Sequence, residues 1–184
     1  MKKKVLGLSF GRKMGNTDVM IKTALMACEK AGCDVKFIHV DDLDIKPCTG
    51  CISCVVGMTT GNGKGGCPIK DDFKILDEAL MACDAVIVGS PTYVLSPTGR
   101  FKTVCDRIGP SHDITFRKAT YEEGKAAGKP AEKLPDERSF KKRVGALVSV
   151  GGAMTKNWLA FMLPTMYEFT MSMGIDVVDM HEYH

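Results

Sequence analysis

Short, continuously apolar runs alternate along this chain with segments whose apolar residues fall at helical spacing, and few folds tolerate that order. Residues 4–10, 35–40, 85–89, 144–150 and 175–180 read as strands. Residues 17–31, 71–82, 99–108 and 158–173 read as helices, the first through Val19, Ile21, Leu25 and Met26, the second capped by Asp71-Asp72. Strands without in-and-out alternation are buried on both faces. The order therefore predicts an α/β domain: a doubly wound five-stranded parallel sheet in a three-layer α/β/α arrangement. Gly32 is placed as the residue that ends the first helix, and Pro164 predicts a kink in the last. A sheet of this kind normally carries a helix after its final strand, so the sequence predicts either that this helix has been truncated or that a partner subunit covers the face.

With 184 residues, the chain predicts a single domain, 1–184, with a cysteine-rich loop at 47–68 and a polar excursion at 110–142. The excursion is rich in Lys and Glu, contains Pro130 and Pro135, and has no apolar period, which predicts a surface excursion or a lid. A net charge of +3 is too small to argue for a nucleic-acid partner, and the apolar runs are too short to span a membrane. Met1-Lys2-Lys3-Lys4 leads straight into the first strand, without the pattern of a signal peptide. Eight cysteines in such a chain imply a reducing, cytoplasmic setting and metal or redox chemistry. Cys28, Cys33, Cys83 and Cys105 fall in or beside regular elements and read as inert, buried thiols. His39, His112, His181 and His184 have no metal-site spacing and read as surface or structural.

Ligands bind at the carboxyl ends of strands in open α/β sheets, and three such loops carry suitable chemistry. The first runs Ser9-Phe10-Gly11-Arg12-Lys13-Met14-Gly15-Asn16-Thr17 into a helix. Free backbone N–H groups and the helix dipole favour an anion there. Ser9, Asn16 and Thr17 add donors and Arg12 adds charge, although Asn16 or Thr17 could simply cap the helix. Neither the Walker-type nor the Gly-x-Gly-x-x-Gly fingerprint is present. The second loop contains Pro91, Thr92, Tyr93 and Val94, whose stiff backbone, hydroxyl and aromatic face suit a planar heteroaromatic ring. The third contains Gly151 and Gly152, which permit close backbone approach or form a turn.

Cys48, Cys51 and Cys54 stand at successive three-residue intervals, and Cys67 precedes Pro68. Four thiolates can hold a [4Fe–4S] cluster or a zinc ion, or the loop can be metal-free. Triplet spacing favours a cubane cluster over the paired knuckles of structural zinc, and Cys67-Pro68 resembles the end of bacterial ferredoxin motifs.

Together the phosphate-type loop, Ser90-Pro91-Thr92-Tyr93 and Cys105-Asp106-Arg107 resemble the NADPH-dependent FMN reductase family of flavodoxin-like proteins. Within it, the cysteine loop is similar to that of the iron–sulfur flavoproteins. The resemblance implies that Ser9, Arg12, Asn16 and Thr17 hold an FMN phosphate. Pro91, Thr92, Tyr93 and Val94 would border the isoalloxazine ring, with Gly151 and Gly152 on its other side. It implies a [4Fe–4S] cluster on Cys48, Cys51, Cys54 and Cys67, although twelve residues separate the last two, more than in those relatives. It further implies electron transfer between FMN and the cluster, with NAD(P)H or a ferredoxin-type protein as donor, in a homodimer or homotetramer. The alternatives are an NAD(P)H-dependent flavin, quinone or nitroaromatic reductase without a working cluster, and a metal-dependent interaction module that is not an enzyme. Flavin chemistry requires no protein nucleophile, so no catalytic side chain is expected.

Overall fold

The computed structural model describes residues 2–60, 66–152 and 159–183. Strands β1 (Lys4–Ser9), β2 (Asp34–His39), β3 (Ala85–Pro91), β4 (Arg143–Val150) and β5 (Ile175–Tyr183) form one parallel sheet in the order β2-β1-β3-β4-β5. The register sets Val5 beside Val35 and Ala85, and Ser9 beside His39 and Gly89. The helices are α1 (Asn16–Lys30), α2 (Ser53–Thr60), α3 (Phe73–Ala82), α4 (Gly99–His112), α5 (Ile114–Ala126) and α6 (Met162–Ser172). This is the doubly wound parallel sheet the alternation predicts, in the flavodoxin-like order the resemblance implies.

The sheet divides the core in two. On one face Leu6, Leu8, Val88 and Leu147 pack against Leu76 and Leu80 of α3, Phe101 and Val104 of α4, and Met166 and Phe169 of α6. Phe101 is fully buried, with Phe10 edge-on at 5.1 Å and Phe169 tilted at 5.9 Å. On the other face Val5, Ile87 and Val148 meet Ile21 and Leu25 of α1. That contact is close because Gly89 lacks a side chain. A Cβ there would lie 2.7 Å from Ile21 Cδ1 and 2.9 Å from Thr17 Cγ2. The start of α1 is thereby pressed against the carboxyl end of β3.

Several expectations need correction. The segment 110–142 is not an irregular lid. α4 continues to His112, Asp113 accepts from Phe116 N to cap α5, and 3-10 turns follow at Ala131–Lys133 and Glu137–Phe140. Buried Arg143 closes this region by donating to the Leu80, Met81, Arg138 and Lys141 carbonyls. The last helix starts at Met162, so Pro164 sits in its first turn, where the missing N–H costs nothing, and no kink is needed. Trp158 lies outside the described residues. Of the four apolar residues read at helical spacing in α1, Ile21 and Leu25 are buried, whereas Val19 and Met26 are exposed. The cysteine loop contains α2, which sequence periodicity does not show. Of the four cysteines outside that loop only Cys83 is fully buried. His39 and His112 are buried, whereas His181 is exposed. Beyond Ile175 most of β5 is exposed, including Val178 and Met180.

Candidate functional site

At the carboxyl end of the sheet, backbone hydrogen bonds stitch the strand-end loops together. Phe10 N donates to Gly89 O (2.9 Å), Thr92 N to Val150 O (2.8 Å) and Gly151 N to Tyr183 O (2.8 Å). Thr98 adds a side-chain tie: its hydroxyl donates to Phe10 O (3.2 Å) and accepts from Phe101 N at the start of α4. These ties enclose a cleft of about 230 Å³. Arg12, Asn16 and Thr17 line it from the first loop, Pro91, Thr92 and Tyr93 from the second, and Gly151 and Gly152 from the third.

The first loop is organised by a residue that sequence reasoning passed over. Asp18, buried in the first turn of α1, accepts from the Ser9 hydroxyl and from Met14 N (2.9 Å), with His39 Nε2 at 3.5 Å. The bond to Met14 holds that residue in its left-handed conformation at φ 57°. An acidic residue in the first helical turn was the available signal. Ser9 is therefore buried behind the loop and does not line the cleft, its hydroxyl being given to Asp18. Neither Asn16 nor Thr17 caps the helix. Gly15 is the N-cap residue and no side chain caps α1, so its first-turn N–H groups face the cleft mouth unclaimed by a cap.

Charge around the loop is sorted by pairing. Lys13 meets Asp42, and Arg100 lies 2.5 Å from Asp41. Arg12 is exposed and has no ion-pair partner among the described residues. In the second loop Thr92 Oγ1 is buried and has no hydrogen-bond partner among the described residues. An orphan hydroxyl beside an uncapped helix and a free guanidinium fits a phosphorylated ring with polar edge atoms, which is the chemistry FMN presents. Val94 does not line the cleft. It stands 85% exposed at the tip of a two-residue hairpin closed by the Tyr93 and Ser96 backbones, with Val94 at φ 50° and Leu95 at φ 65°. Gly151 is needed for packing rather than for ligand approach, since a Cβ would lie 2.8 Å from Leu159 Cδ2, whereas Gly152 faces open space.

The four cysteines of the loop also come together. Cys48, Cys51, Cys54 and Cys67 line one small cavity of about 50 Å³, with Arg107 in its wall. Cys51 is exposed, and hydrogen bonds led by the Ser53 hydroxyl pull its thiol below the ordinary value; burial pushes Cys54 up. Among the described residues no three His, Cys, Asp or Glu side chains converge on a point that could take a single metal ion. The four thiols thus share a space without a ready-made metal geometry. The loop is anchored by a buried ion pair. Arg107 Nη1 and Nη2 meet Asp71 at 2.6 and 3.1 Å, and Nη1 also donates to Lys46 O. Asp71 in turn accepts from Lys46 N and Phe73 N.

These features define a doubly wound α/β protein with an anion-ready crevice at its strand ends. The chain belongs to the NADPH-dependent FMN reductase family, whose profile matches residues 4–175. It is 31% identical over 183 residues to flavone synthase cfoJ of Aspergillus candidus, covering 95% of this chain and 53% of that protein. An iron-sulfur flavoprotein of Archaeoglobus fulgidus is 37% identical over 99 residues, covering 54% of this chain and 42% of its own length. Among solved structures, a flavone reductase superposes with a TM-score of 0.79 at 26% identity, covering 98% of this chain and 53% of that one. An archaeal flavodoxin superposes at 0.53 with 15% identity, covering 98% of this chain and 83% of that one, a likeness of fold alone. The chain spans about half the length of the curated relatives it matches. No helix among the described residues is long and apolar enough to cross a membrane.

Proposed function

We propose that the protein is an FMN-dependent reductase that uses NAD(P)H to reduce a small planar aromatic acceptor such as a quinone, nitroaromatic, flavin or flavone-type compound. The observation that carries this reading is the single cleft in which Arg12, Asn16, Thr17, Pro91, Thr92, Tyr93 and Gly152 meet. Bound FMN would supply the hydride and single-electron chemistry. This chain's own residues bind and orient. The Arg12 guanidinium and the first-turn N–H groups of α1 hold the phosphate, with Asn16 and Thr17 as further donors. Thr92 Oγ1 is the hydroxyl available to a polar ring edge, and Pro91 and Gly152 wall the ring. Tyr93 is 55% exposed and offers an aromatic surface to an acceptor at the cleft mouth. The likeness to a flavone reductase and a flavone synthase over nearly the whole chain supports an aromatic acceptor.

A second reading, electron transfer through a [4Fe–4S] cluster, is supported by the four thiols on one cavity and by partial matches to iron-sulfur flavoproteins. Anaerobic purification followed by flavin, iron and sulfide quantification tests both. Bound FMN and NADPH-driven reduction of menadione, with iron well below four per chain, supports the first reading. Protein that is colourless and takes up no FMN when it is supplied overturns both.

A further inference from the structure

The far end of α1, away from the strand-end cleft, carries two cysteines that neither proposed reading uses. The helix stops at Lys30, and Gly32 turns the chain at φ 90°, a left-handed conformation that glycine adopts without strain. Gly32 N donates to Glu29 O (2.8 Å), and Cys33 N reaches back to Cys28 O (3.0 Å). This nested pair of bonds is the Schellman ending. Its geometry brings the side chain after the glycine toward the one five positions earlier. Those two side chains are Cys33 and Cys28.

Standard bond lengths, with a 3.0 Å hydrogen bond joining the two backbones, keep their Cα atoms within about 7 Å, inside the reach of a disulfide. Both side chains pack against the cluster of Val5, Ile21 and Leu25, on one face of the sheet, and both are only partly buried. They are near enough to act on each other electrically. Burial first, and then the charge of Cys33, push the Cys28 thiol up. Cys33 also lines an open hollow of about 420 Å³ with Lys2, Lys4, Glu29 and Asp34, whereas Cys28 does not. Cys33 is thus the thiol that a reagent meets first, and Cys28 stands behind it.

We propose that Cys28 and Cys33 form a reversible dithiol–disulfide pair, oxidised by a small-molecule disulfide such as glutathione disulfide. The Cys33 thiolate attacks one sulfur of that disulfide, and one small thiolate leaves. Cys28 then gives up its proton and attacks the Cys33 sulfur, expelling the second small thiolate. The two cysteines lose two electrons and two protons, and the small disulfide becomes two thiols. The bridge pins the end of α1 to the residue that enters β2, and it shares no residue with the flavin cleft. In a reducing setting such a bridge is transient and senses oxidation rather than maintaining the fold.

The test equilibrates the wild-type protein with excess glutathione disulfide in the absence of oxygen, alkylates the remaining thiols and maps tryptic peptides by mass spectrometry. Trypsin cuts after Lys22, Lys30 and Lys36, so Cys28 and Cys33 fall in separate peptides, 23–30 and 31–36. These two peptides should become joined, and excess dithiothreitol should separate them. Cys28→Ser should instead leave a glutathione adduct on Cys33, which arrests the exchange after its first step; an unmodified Cys33 in that variant would overturn the assigned order of attack. Both peptides recovered from the wild type as alkylated free thiols overturn the proposal. Glutathione adducts on each without a link also overturn it, since the thiols would be reachable but unable to meet. Both of these outcomes are read in the wild-type protein, so they stand even if the serine variant does not fold, and neither depends on the flavin assignment.

Discussion

Replacing Asp71 by alanine should destabilise the protein far more than its single carboxylate suggests. Its side chain is buried and accepts four hydrogen bonds, two from Arg107 and one each from Lys46 N and Phe73 N. Burial acts to raise its pKa, but the Arg107 bonds and the two backbone N–H groups outweigh it and hold the carboxyl at about 2, against an ordinary 3.8. That difference corresponds to about 2 kcal/mol of stability at neutral pH. Removing the carboxylate also strands the Arg107 charge in the interior, so the full cost should reach about 3–5 kcal/mol. Urea unfolding reads this as a midpoint lower by roughly 1.5–2.5 M, for a slope of about 2 kcal/mol/M. Adding Arg107→Met should return part of the loss, because the stranded charge disappears with it. Costs for Asp71→Ala and Arg107→Met that add to within about 0.5 kcal/mol would refute the reasoning. The pH dependence carries the same sign. The folded pKa is depressed, so the contribution is complete above about 4 and is lost as pH falls through about 2. Asp71→Asn should lack that acid-sensitive component.

Arg12→Ala combined with Asn16→Ala should weaken FMN binding by about 2–3 kcal/mol, read by flavin fluorescence titration, with little change in melting temperature of the flavin-free protein. Gly89→Ala should push α1 away from β3, costing about 1–3 kcal/mol and lowering FMN affinity, because its Cβ would meet Ile21 and Thr17 at 2.7 and 2.9 Å. Val94→Asn should stabilise the protein by about 1 kcal/mol in thermal unfolding, since asparagine tolerates the φ of 50° that a β-branched residue resists.

The sheet was legible because its strands are buried on both faces, and residues such as Val86, Ile87 and Val88 leave no other reading. The strand-end cleft was legible for the same reason, since fixing the strands fixes which loops meet. What escaped was structure stabilised by polar contacts. α5 buries Arg117 and Gly124 rather than an apolar stripe, so periodicity had nothing to detect. α4 runs past Gly109 and Pro110 to His112, where the Ser111 hydroxyl donates to the Arg107 and Ile108 carbonyls. Ser9 matched the residue type expected of an anion loop, but only the distant pairing with Asp18 shows that its hydroxyl is spoken for. Likewise nothing local to Asp71 announces Arg107, which lies thirty-six positions away.

Thr98 has a consequence for how tightly any guest can be held. One hydroxyl joins the turn after the first strand to the start of a helix two crossovers later, and its neighbours clasp the remaining strand tips. Three segments that could each have wandered separately instead form a ready-made mould, so an arriving molecule has little chain to immobilise and keeps more of its contact energy as affinity.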